Sequence, residues 1–211
     1  DSLRTVPSAL SGAATGLGYS RDLITLLSLA QYIRNLGYQA YASMNDTALS
    51  IPMAIQAGLG EYGRHGLLIT KEFGPRVRIG KVFTDLPLAH DKPIDFGVEN
   101  FCSICRECTK ACPPNAIDGG DQKETVYNQS NIAGIKKWTT DAEKCFDFWA
   151  NQATDCSICV RVCPYNRKMP KWLFTNWVKL MSSPFRRIIL WLDKIIGQGK
   201  RNAPTSWWSG N

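Results

Sequence analysis

The arrangement of eight cysteines constrains this chain of 211 residues more than any other feature. They form two groups, and all of them lie between residues 102 and 163. The first group is Cys102, Cys105, Cys108 and Cys112, and the second is Cys145, Cys156, Cys159 and Cys163. A disulfide framework is typical of a small secreted domain without a core of its own, whereas this chain is long enough to bury one. Closely spaced thiols indicate a metal site instead.

The spacing of the first group predicts the kind of metal. C-x2-C-x2-C-x3-C-P is the run found in bacterial ferredoxins, and its fourth cysteine serves the other iron–sulfur cluster. The second group repeats the Cys-Pro ending. We therefore predict one 4Fe–4S cluster on Cys102, Cys105, Cys108 and Cys163, and a second on Cys112, Cys145, Cys156 and Cys159. Structural zinc is the alternative, because all-cysteine zinc sites also use Cys-x-x-Cys pairs.

Composition and charge exclude several other classes of protein. Apolar residues make up 44% of the chain, which excludes a disordered tail, and no apolar run is long enough for an ordinary membrane-spanning helix. The net charge of +7 comes from the tail, because residues 164–211 hold nine Lys and Arg against one Asp. A basic tail without a recognisable DNA- or RNA-binding motif is weak evidence for nucleic-acid binding, so we expect no nucleic-acid partner.

The first hundred residues predict a mixed layer of helices and strands. Residues 22–36 favour a helix that ends at Gly37 and buries one face, made of Leu23, Leu26, Leu27, Ala30 and Ile33. A second helix is expected at 47–57, capped by Asn45 or Asp46, with strands at 38–43, 67–70 and 77–84. This pattern indicates an α/β or α+β layer over residues 1–100, joined to a cluster module at 101–168.

Residues 169–211 form an apolar and basic extension. Ser182-Ser183-Pro184 should divide it into two helices. A basic amphipathic helix can lie on a membrane surface, or its apolar face can pack on the cluster module; the second alternative is favoured.

Gly58, Gly60 and Gly63 spell the dinucleotide-binding pattern G-x-G-x-x-G. That site needs a strand before the glycines and a helix after them, and here the predicted order is reversed. We therefore reject nicotinamide binding and expect the glycines to allow close approach of the backbone to a flat or bulky ligand.

Four further segments carry a resemblance to a known family. They are Gly18-Tyr19-Ser20-Arg21, Asn45-Asp46-Thr47, and residues 55–61 and 73–78. With the cysteine motifs that follow, the chain resembles the corrinoid-dependent reductive dehalogenases along essentially its whole length. The fold implied is α+β: an α/β-like cobalamin-binding part of nitroreductase type, then a bacterial ferredoxin-like module with two 4Fe–4S clusters. The activity implied is removal of halide from an organohalide, with electrons passing through the clusters to the Co(I) state of a base-off cobalamin.

The resemblance also assigns roles to individual residues. It makes Tyr19 the proton donor, with Arg78 beside it and Asn45 in the same pocket. A guanidinium favours the phenolate, so it eases proton release from a group whose pKa is ordinarily about 10. Without the resemblance, Tyr19 is a half-buried tyrosine, Arg78 an exposed charge on a strand, and Asn45 a helix cap. Thr15 and Trp149 are further pocket candidates, and neither histidine has a motif for binding cobalt.

Partners and location rest on the resemblance alone. It implies an organohalide substrate, a small membrane-anchor protein and an electron donor of unknown identity, and it leaves a homodimer open. The location implied is peripheral, on the outer, periplasmic-side face of the cytoplasmic membrane. We expect the sequence to be the C-terminal part of a longer protein with an export leader. Two rival functions remain: a corrinoid enzyme of the epoxyqueuosine reductase type, and a two-cluster electron carrier without an active site.

Overall fold

In the computed structural model, which describes residues 2–208, the longest element is helix α1 (Ala9–Asn35). It begins at Ser8, whose hydroxyl oxygen accepts a hydrogen bond from the N–H of Ser11 in a capping box. This cap extends the helix well before the predicted start at residue 22. The helix ends at Asn35 with Leu36 as its C-cap, and Gly37 follows with a φ of 95°, as predicted.

The buried face of α1 is narrower than predicted. Leu26, Ala30 and Ile33 are buried, as expected, and the last two pack against Ala40 of the following strand. Leu23 and Leu27 are exposed, so that part of the prediction is wrong. An apolar pattern identifies a helix, but it does not decide which apolar side chains the rest of the described chain covers.

Two small antiparallel sheets follow α1. Strand β1 (Ala40–Ser43) pairs with β4 (Lys81–Thr84), and between them lie helix α2 (Ser50–Gln56) and a hairpin of β2 (Glu61–Tyr62) and β3 (Leu68–Ile69). Both sheets have two strands, which makes this region α+β. The predicted strand from residue 77 is therefore wrong over 77–80, so Arg78 does not lie on a strand. The predicted cap of α2 is also wrong, because the N-cap is Leu49.

The second half of the described chain is helical and carries all eight cysteines. Its helices are α3 (Val98–Cys105), α4 (Glu107–Ala111), α5 (Ala142–Gln152), α6 (Ile158–Val162), α7 (Lys171–Met181) and α8 (Arg186–Ile196). The predicted break at residues 182–184 is confirmed, since it separates α7 from α8. Within residues 2–208, no helix combines the length and the apolar character that crossing a membrane requires.

One hydrophobic core joins the helices to the hairpin. It contains Ile69, Val98, Phe101, Trp138, Tyr165, Phe174, Trp177, Val178, Met181 and Ile189, together with Cys102, Cys105 and Cys163. Residues from the ranges 1–100, 101–168 and 169–211 therefore share this core. The buried ion pair of Arg167 and Asp193, with Nη2 and Oδ2 2.7 Å apart, also ties α8 to the segment after Cys163.

Helices α7 and α8 differ in how they pack. The apolar face of α7 is buried in the core, which agrees with the favoured prediction. Helix α8 buries Ile189, whereas Ile188, Trp191 and Ile195 are more than half exposed. Basic residues, including Arg186, Arg187 and Lys194, lie on the same short helix.

Candidate functional site

The four thiols predicted for the first cluster, Cys102, Cys105, Cys108 and Cys163, are called the first thiol group from here on, and they surround a single cavity. Cys102 and Cys105 lie on α3, Cys108 lies on α4, and Cys163 follows α6. A left-handed residue, Arg106 (φ 55°), turns the chain between α3 and α4 so that the cysteines face one another. The same cavity is lined by Arg64, His65, Phe101, Arg106, Pro164 and Tyr165. The four thiols predicted for the first cluster are thus brought together, with a wall supplied by the β2–β3 hairpin.

The four thiols predicted for the second cluster, Cys112, Cys145, Cys156 and Cys159, are called the second thiol group, and α4, α5, α6 and the residues beside them bring them together. Burial raises the pKa of Cys159, and the neighbouring Cys108, Cys156, Cys145 and Cys112 raise it further. The N–H of Ala116 donates a hydrogen bond to Sγ of Cys112 over 3.3 Å. Cys108 of the first thiol group is among the neighbours that raise the pKa of Cys159, so the two groups are adjacent. Their adjacency suits the passage of electrons from one cluster to the other.

The donor set fits an iron–sulfur cluster. A cubane takes one thiolate at each corner, so its ligands stand around a cavity, as Cys102, Cys105, Cys108 and Cys163 do.

Burial holds the thiols in their protonated form when no metal compensates them. It raises the pKa of Cys102 to about 11 and that of Cys108 to about 12, from an ordinary value of 9.0. Iron requires thiolates, so loading a cluster must release protons and neutralise charge in the interior. Arg64 is a buried cation at this cavity, and its charge lowers the pKa of Cys102 and Cys108 against the effect of burial.

Arg64 is held at this cavity by neutral partners. It is 1% exposed, donates hydrogen bonds to the carbonyl oxygens of Cys102, Asp118 and Gly120, and lies 4.4 Å from the ring centroid of Trp138. No carboxylate in the described part of the chain is recorded as its salt-bridge partner. Sequence reasoning missed Arg64, because an arginine beside a glycine carries no motif.

Tyr19, Asn45 and Arg78 meet at a second site. Nδ2 of Asn45 donates a hydrogen bond to the hydroxyl oxygen of Tyr19 over 2.9 Å. The guanidinium carbon of Arg78 lies 4.8 Å from the centroid of the Tyr19 ring. Tyr19 is 36% exposed, so its O–H can reach a molecule outside the described chain. The three residues come from α1, the loop after β1 and the loop before β4. The family resemblance predicted that Tyr19, Arg78 and Asn45 lie together, and these contacts agree with it, whereas their catalytic roles stay a prediction.

The loop that carries Asn45 is fixed from beneath by a buried lysine. Nζ of Lys81 donates hydrogen bonds to the carbonyl oxygens of Met44 and Ala48, the second over 3.0 Å. The carboxylate of Asp46 accepts a hydrogen bond from the N–H of Met44 over 2.9 Å. These bonds leave the Asn45 side chain free to face Tyr19. Sequence reasoning missed Lys81, since a lysine on a predicted strand is ordinarily an exposed charge.

Thr15 connects the tyrosine site to the second thiol group. Its hydroxyl donates to Oδ2 of Asp155 over 2.8 Å, and Asp155 directly precedes Cys156. Thr15 lies four residues before Tyr19 on α1, so both side chains lie on one face of that helix. Trp149 is on α5, one turn after Cys145, and is 40% exposed. The helix that carries Tyr19 is therefore bonded to the residue before Cys156, one of the thiols of the second group.

The three glycines of the G-x-G-x-x-G pattern have a structural explanation within the chain itself. A Cβ at Gly60 would lie 2.2 Å from the carbonyl oxygen of Ile69, and one at Gly58 would lie 2.7 Å from that of Lys92. At Gly63 it would lie 2.8 Å from Cε1 of His65. The close approaches seen here are thus between parts of the described chain. Contact with a cofactor stays a prediction.

Comparisons with known proteins identify relatives of both halves. A family model described as reductive dehalogenase subunit matches residues 1–88, and one described as 4Fe-4S double cluster binding domain matches residues 101–166. A tetrachloroethene reductive dehalogenase of Desulfitobacterium hafniense is 46% identical over 82% of this chain and 32% of its own length. One of Sulfurospirillum multivorans is 38% identical over 99% of this chain and 42% of its own.

Solved structures agree with these relatives. A reductive dehalogenase structure described as suggesting a mechanism for B12-dependent dehalogenation has a TM-score of 0.72 and 34% identity, over 82% of this chain and 25% of that one. Among the relatives found by sequence, an epoxyqueuosine reductase of Lactococcus garvieae is less similar than the dehalogenases, at 31% identity over 67% of this chain. The chain spans about a third of the length of the first relatives it matches.

Proposed function

We propose that this chain, which belongs to the reductive dehalogenase family, supplies the electron relay and the proton donor of an enzyme that removes halide from an organohalide. The observation that carries the proposal is the contact of Tyr19 with Asn45 and Arg78, next to a domain built for two 4Fe–4S clusters. Proteins named tetrachloroethene reductive dehalogenase are the relatives that support this activity.

Tyr19 is suited to donate a proton. Reductive cleavage of a carbon–halogen bond leaves negative charge on carbon, and an acid close to that carbon takes the charge up. Asn45 donates to the tyrosine oxygen and leaves the O–H proton pointing away from the amide. Once the proton has left, the same hydrogen bond and the nearby Arg78 cation stabilise the phenolate.

A bound cobalamin would supply the low-valent cobalt that delivers electrons to the carbon–halogen bond. We propose that the exposed side chain of Leu23, one turn after Tyr19 on the same face of α1, lines the region that faces this group. The pattern around Gly58, Gly60 and Gly63 and the side chains of Thr15 and Trp149 belong to the same proposed pocket. We also propose that residues 1–100 contribute to a cobalamin-binding domain of nitroreductase type.

The hydrogen bond between Thr15 and Asp155 supports one order for the electron relay. It connects the helix of Tyr19 to the residue before Cys156. We therefore propose that the cluster on Cys112, Cys145, Cys156 and Cys159 is the one nearer to cobalt. The cluster on Cys102, Cys105, Cys108 and Cys163 then receives electrons from the external donor.

Location and partners remain proposals. Helix α8 exposes Ile188, Trp191 and Ile195 beside basic residues, a composition that suits the surface of an anionic membrane. On the family resemblance, we propose a peripheral protein on the outer face of the cytoplasmic membrane, bound to a small anchor protein. Assembly as a homodimer is the further proposal, to be measured by light scattering of the purified enzyme.

The activity test uses the complete protein with its clusters and corrinoid, purified without oxygen. Halide release is measured from a panel of chlorinated and brominated substrates, with a reduced viologen dye as the donor. We expect release that an alkyl iodide blocks and light restores. Tyr19→Phe should lower the rate about 100-fold or more, the range for loss of a general acid. Tyr32→Phe, which alters an exposed tyrosine on the same helix, is the matched control and should retain activity.

Other results would indicate the rival functions. Absence of halide release from every substrate, despite iron and cobalt in the protein, would favour an epoxyqueuosine reductase type of enzyme, and a modified tRNA substrate would then be assayed. Iron without cobalt would leave a two-cluster electron carrier. Equal rates for Tyr19→Phe and Tyr32→Phe would show that Tyr19 is not the proton donor.

A further inference from the structure

His65 occupies a position beside the first thiol group that the proposed chemistry does not use. It lies in the turn between β2 and β3, is 5% exposed, and lines the cavity formed by Cys102, Cys105, Cys108 and Cys163. The absence of a Cβ at Gly63 leaves room for its ring. The hairpin thus places an imidazole at the wall of the cavity in which the first cluster would be held.

The hydrogen bonds of His65 define which of its nitrogens carries the proton. The N–H of Leu67 donates to Nδ1 over 3.2 Å, so Nδ1 has a lone pair and no hydrogen. The proton of the ring is therefore on Nε2. Burial lowers the pKa of His65 to about 4, which agrees with a neutral ring.

The Nε2–H group has no acceptor within the described part of the chain, although it is fully buried. Such a donor is rare, because it forfeits the hydrogen bonds that water would offer. The hydroxyl of Tyr165 is in the same condition and lines the same cavity. Burial raises the pKa of Tyr165, and the charges of Cys102 and Cys163 raise it further, so this hydroxyl also remains a donor. Two buried donors without acceptors thus belong to residues that line the same cavity as Cys102, Cys105, Cys108 and Cys163.

We propose that His65 donates a hydrogen bond from Nε2 to a sulfur atom of the cluster held by Cys102, Cys105, Cys108 and Cys163, and that this bond raises the reduction potential of that cluster. The inference rests on the proposed function, because it requires the cluster to be present. Reduction adds one negative charge to the cluster, so a donor to its sulfur stabilises the reduced form more than the oxidised form.

Arg64 acts in the same direction but makes a poorer test. Its buried cation also favours the reduced cluster, yet its side chain binds the carbonyl oxygens of Cys102, Asp118 and Gly120. Replacing Arg64 would disturb the backbone around the thiols together with the charge. His65 accepts one hydrogen bond, from the adjacent turn, so its ring can be changed with less effect on the fold.

The experiment compares three variants of the complete, cluster-loaded protein by redox titration monitored with electron paramagnetic resonance. His65→Phe keeps a planar ring without the donor, His65→Gln keeps an N–H donor, and His90→Gln is the control at the other histidine, which is exposed. At a fixed potential, His65→Phe should lower the reduced-to-oxidised ratio of the first cluster about three- to tenfold, where tenfold corresponds to about 59 mV for one electron. His65→Gln should restore most of the ratio, and His90→Gln should leave it unchanged.

A second measurement needs no variant. Protein labelled with nitrogen-15 histidine should show coupling of one imidazole nitrogen to the reduced cluster in electron–nuclear double resonance. The second cluster is the internal reference, and its ratio should not change in any variant. An unchanged ratio in His65→Phe, or the absence of nitrogen coupling in the unaltered protein, would overturn the inference while leaving the relay intact. A protein without any cluster signal would overturn the inference and the proposed function together.

Discussion

Replacing Asn45 by alanine removes the hydrogen bond that Nδ2 donates to the hydroxyl oxygen of Tyr19, at 2.9 Å. In the proposed reaction this oxygen gains negative charge as its proton moves to the substrate, so the lost bond would be one to a partly charged acceptor. A neutral hydrogen bond contributes about 1 kcal/mol and one to a charged group about 1.5–3 kcal/mol. A partly charged oxygen should lie between these limits, at about 1–2 kcal/mol, which corresponds to a loss in rate of about 5- to 30-fold.

Asn45→Asp is the sharper variant, because it replaces the donor with a negative charge of similar shape. A carboxylate next to Tyr19 opposes formation of the phenolate, whereas Arg78 favours it. We expect this variant to lose more activity than Asn45→Ala, and its rate to recover partly at lower pH as the carboxyl group takes up a proton.

The assay is halide release by the complete enzyme under saturating reduced dye, followed as a function of pH. Asn35→Ala, at the far end of α1, is the control for an amide that does not contact Tyr19. Cluster content is measured in each variant, so that loss of the relay is separated from loss of proton transfer. If Asn45→Asp were as active as the unaltered enzyme at every pH, the role assigned to this hydrogen bond would be refuted.

Three further predictions concern stability, each measured by thermal unfolding under anaerobic conditions. Gly74 has a φ of 58°, and a Cβ there would lie 1.9 Å from the carbonyl oxygen of Tyr165, so Gly74→Ala should cost about 2–5 kcal/mol of stability. The control is Gly16→Ala on α1, where a Cβ would meet no atom within 4 Å, and it should be neutral or stabilising. Equal effects of the two variants would contradict this account. Asp193→Asn leaves the buried Arg167 cation unpaired and should cost about 3–5 kcal/mol; a loss below about 1 kcal/mol would contradict it. Burial raises the pKa of Cys102 from 9.0 to about 11, so folding favours the neutral thiol over the thiolate. Protein without clusters should therefore keep its full stability below pH 9, as far as this thiol is concerned, and lose stability as the pH rises toward 11. Cluster-loaded protein, whose thiolates are bound to iron, should not show this loss.

The elements that could be predicted are those encoded by neighbouring residues. The two cysteine groups lie on short helices separated by fixed turns, so their spacing largely determines which thiols face one another. Gly37 after α1 and Pro184 between α7 and α8 act on their own stretch of backbone, and both boundaries were predicted correctly. Such features need no knowledge of the rest of the fold.

The elements that could not be predicted depend on contacts between distant segments. Asn45 satisfies the rule for a helix cap, yet Lys81 holds its loop in a shape where the amide faces Tyr19 instead. Residues 77–80 have the alternation of a strand, but Gly80 packs against the side chain of Leu26, and the strand begins only after it. In both cases a partner far along the sequence decides between two locally acceptable structures.

The G-x-G-x-x-G pattern predicts that some group closely approaches the backbone at these glycines, but the sequence does not identify that group. Gly60 and Gly63 do allow close approach, and the atoms that approach are the carbonyl of Ile69 and the ring of His65. The consequence is a tight hairpin with Arg64 and His65 in its turn, both directed into the wall of the cluster cavity. A side chain at Gly63 would displace the imidazole, so Gly63→Ala should shift the potential of the first cluster in the same direction as His65→Phe. Under this proposal the glycines matter to the electron relay through the residues that they position.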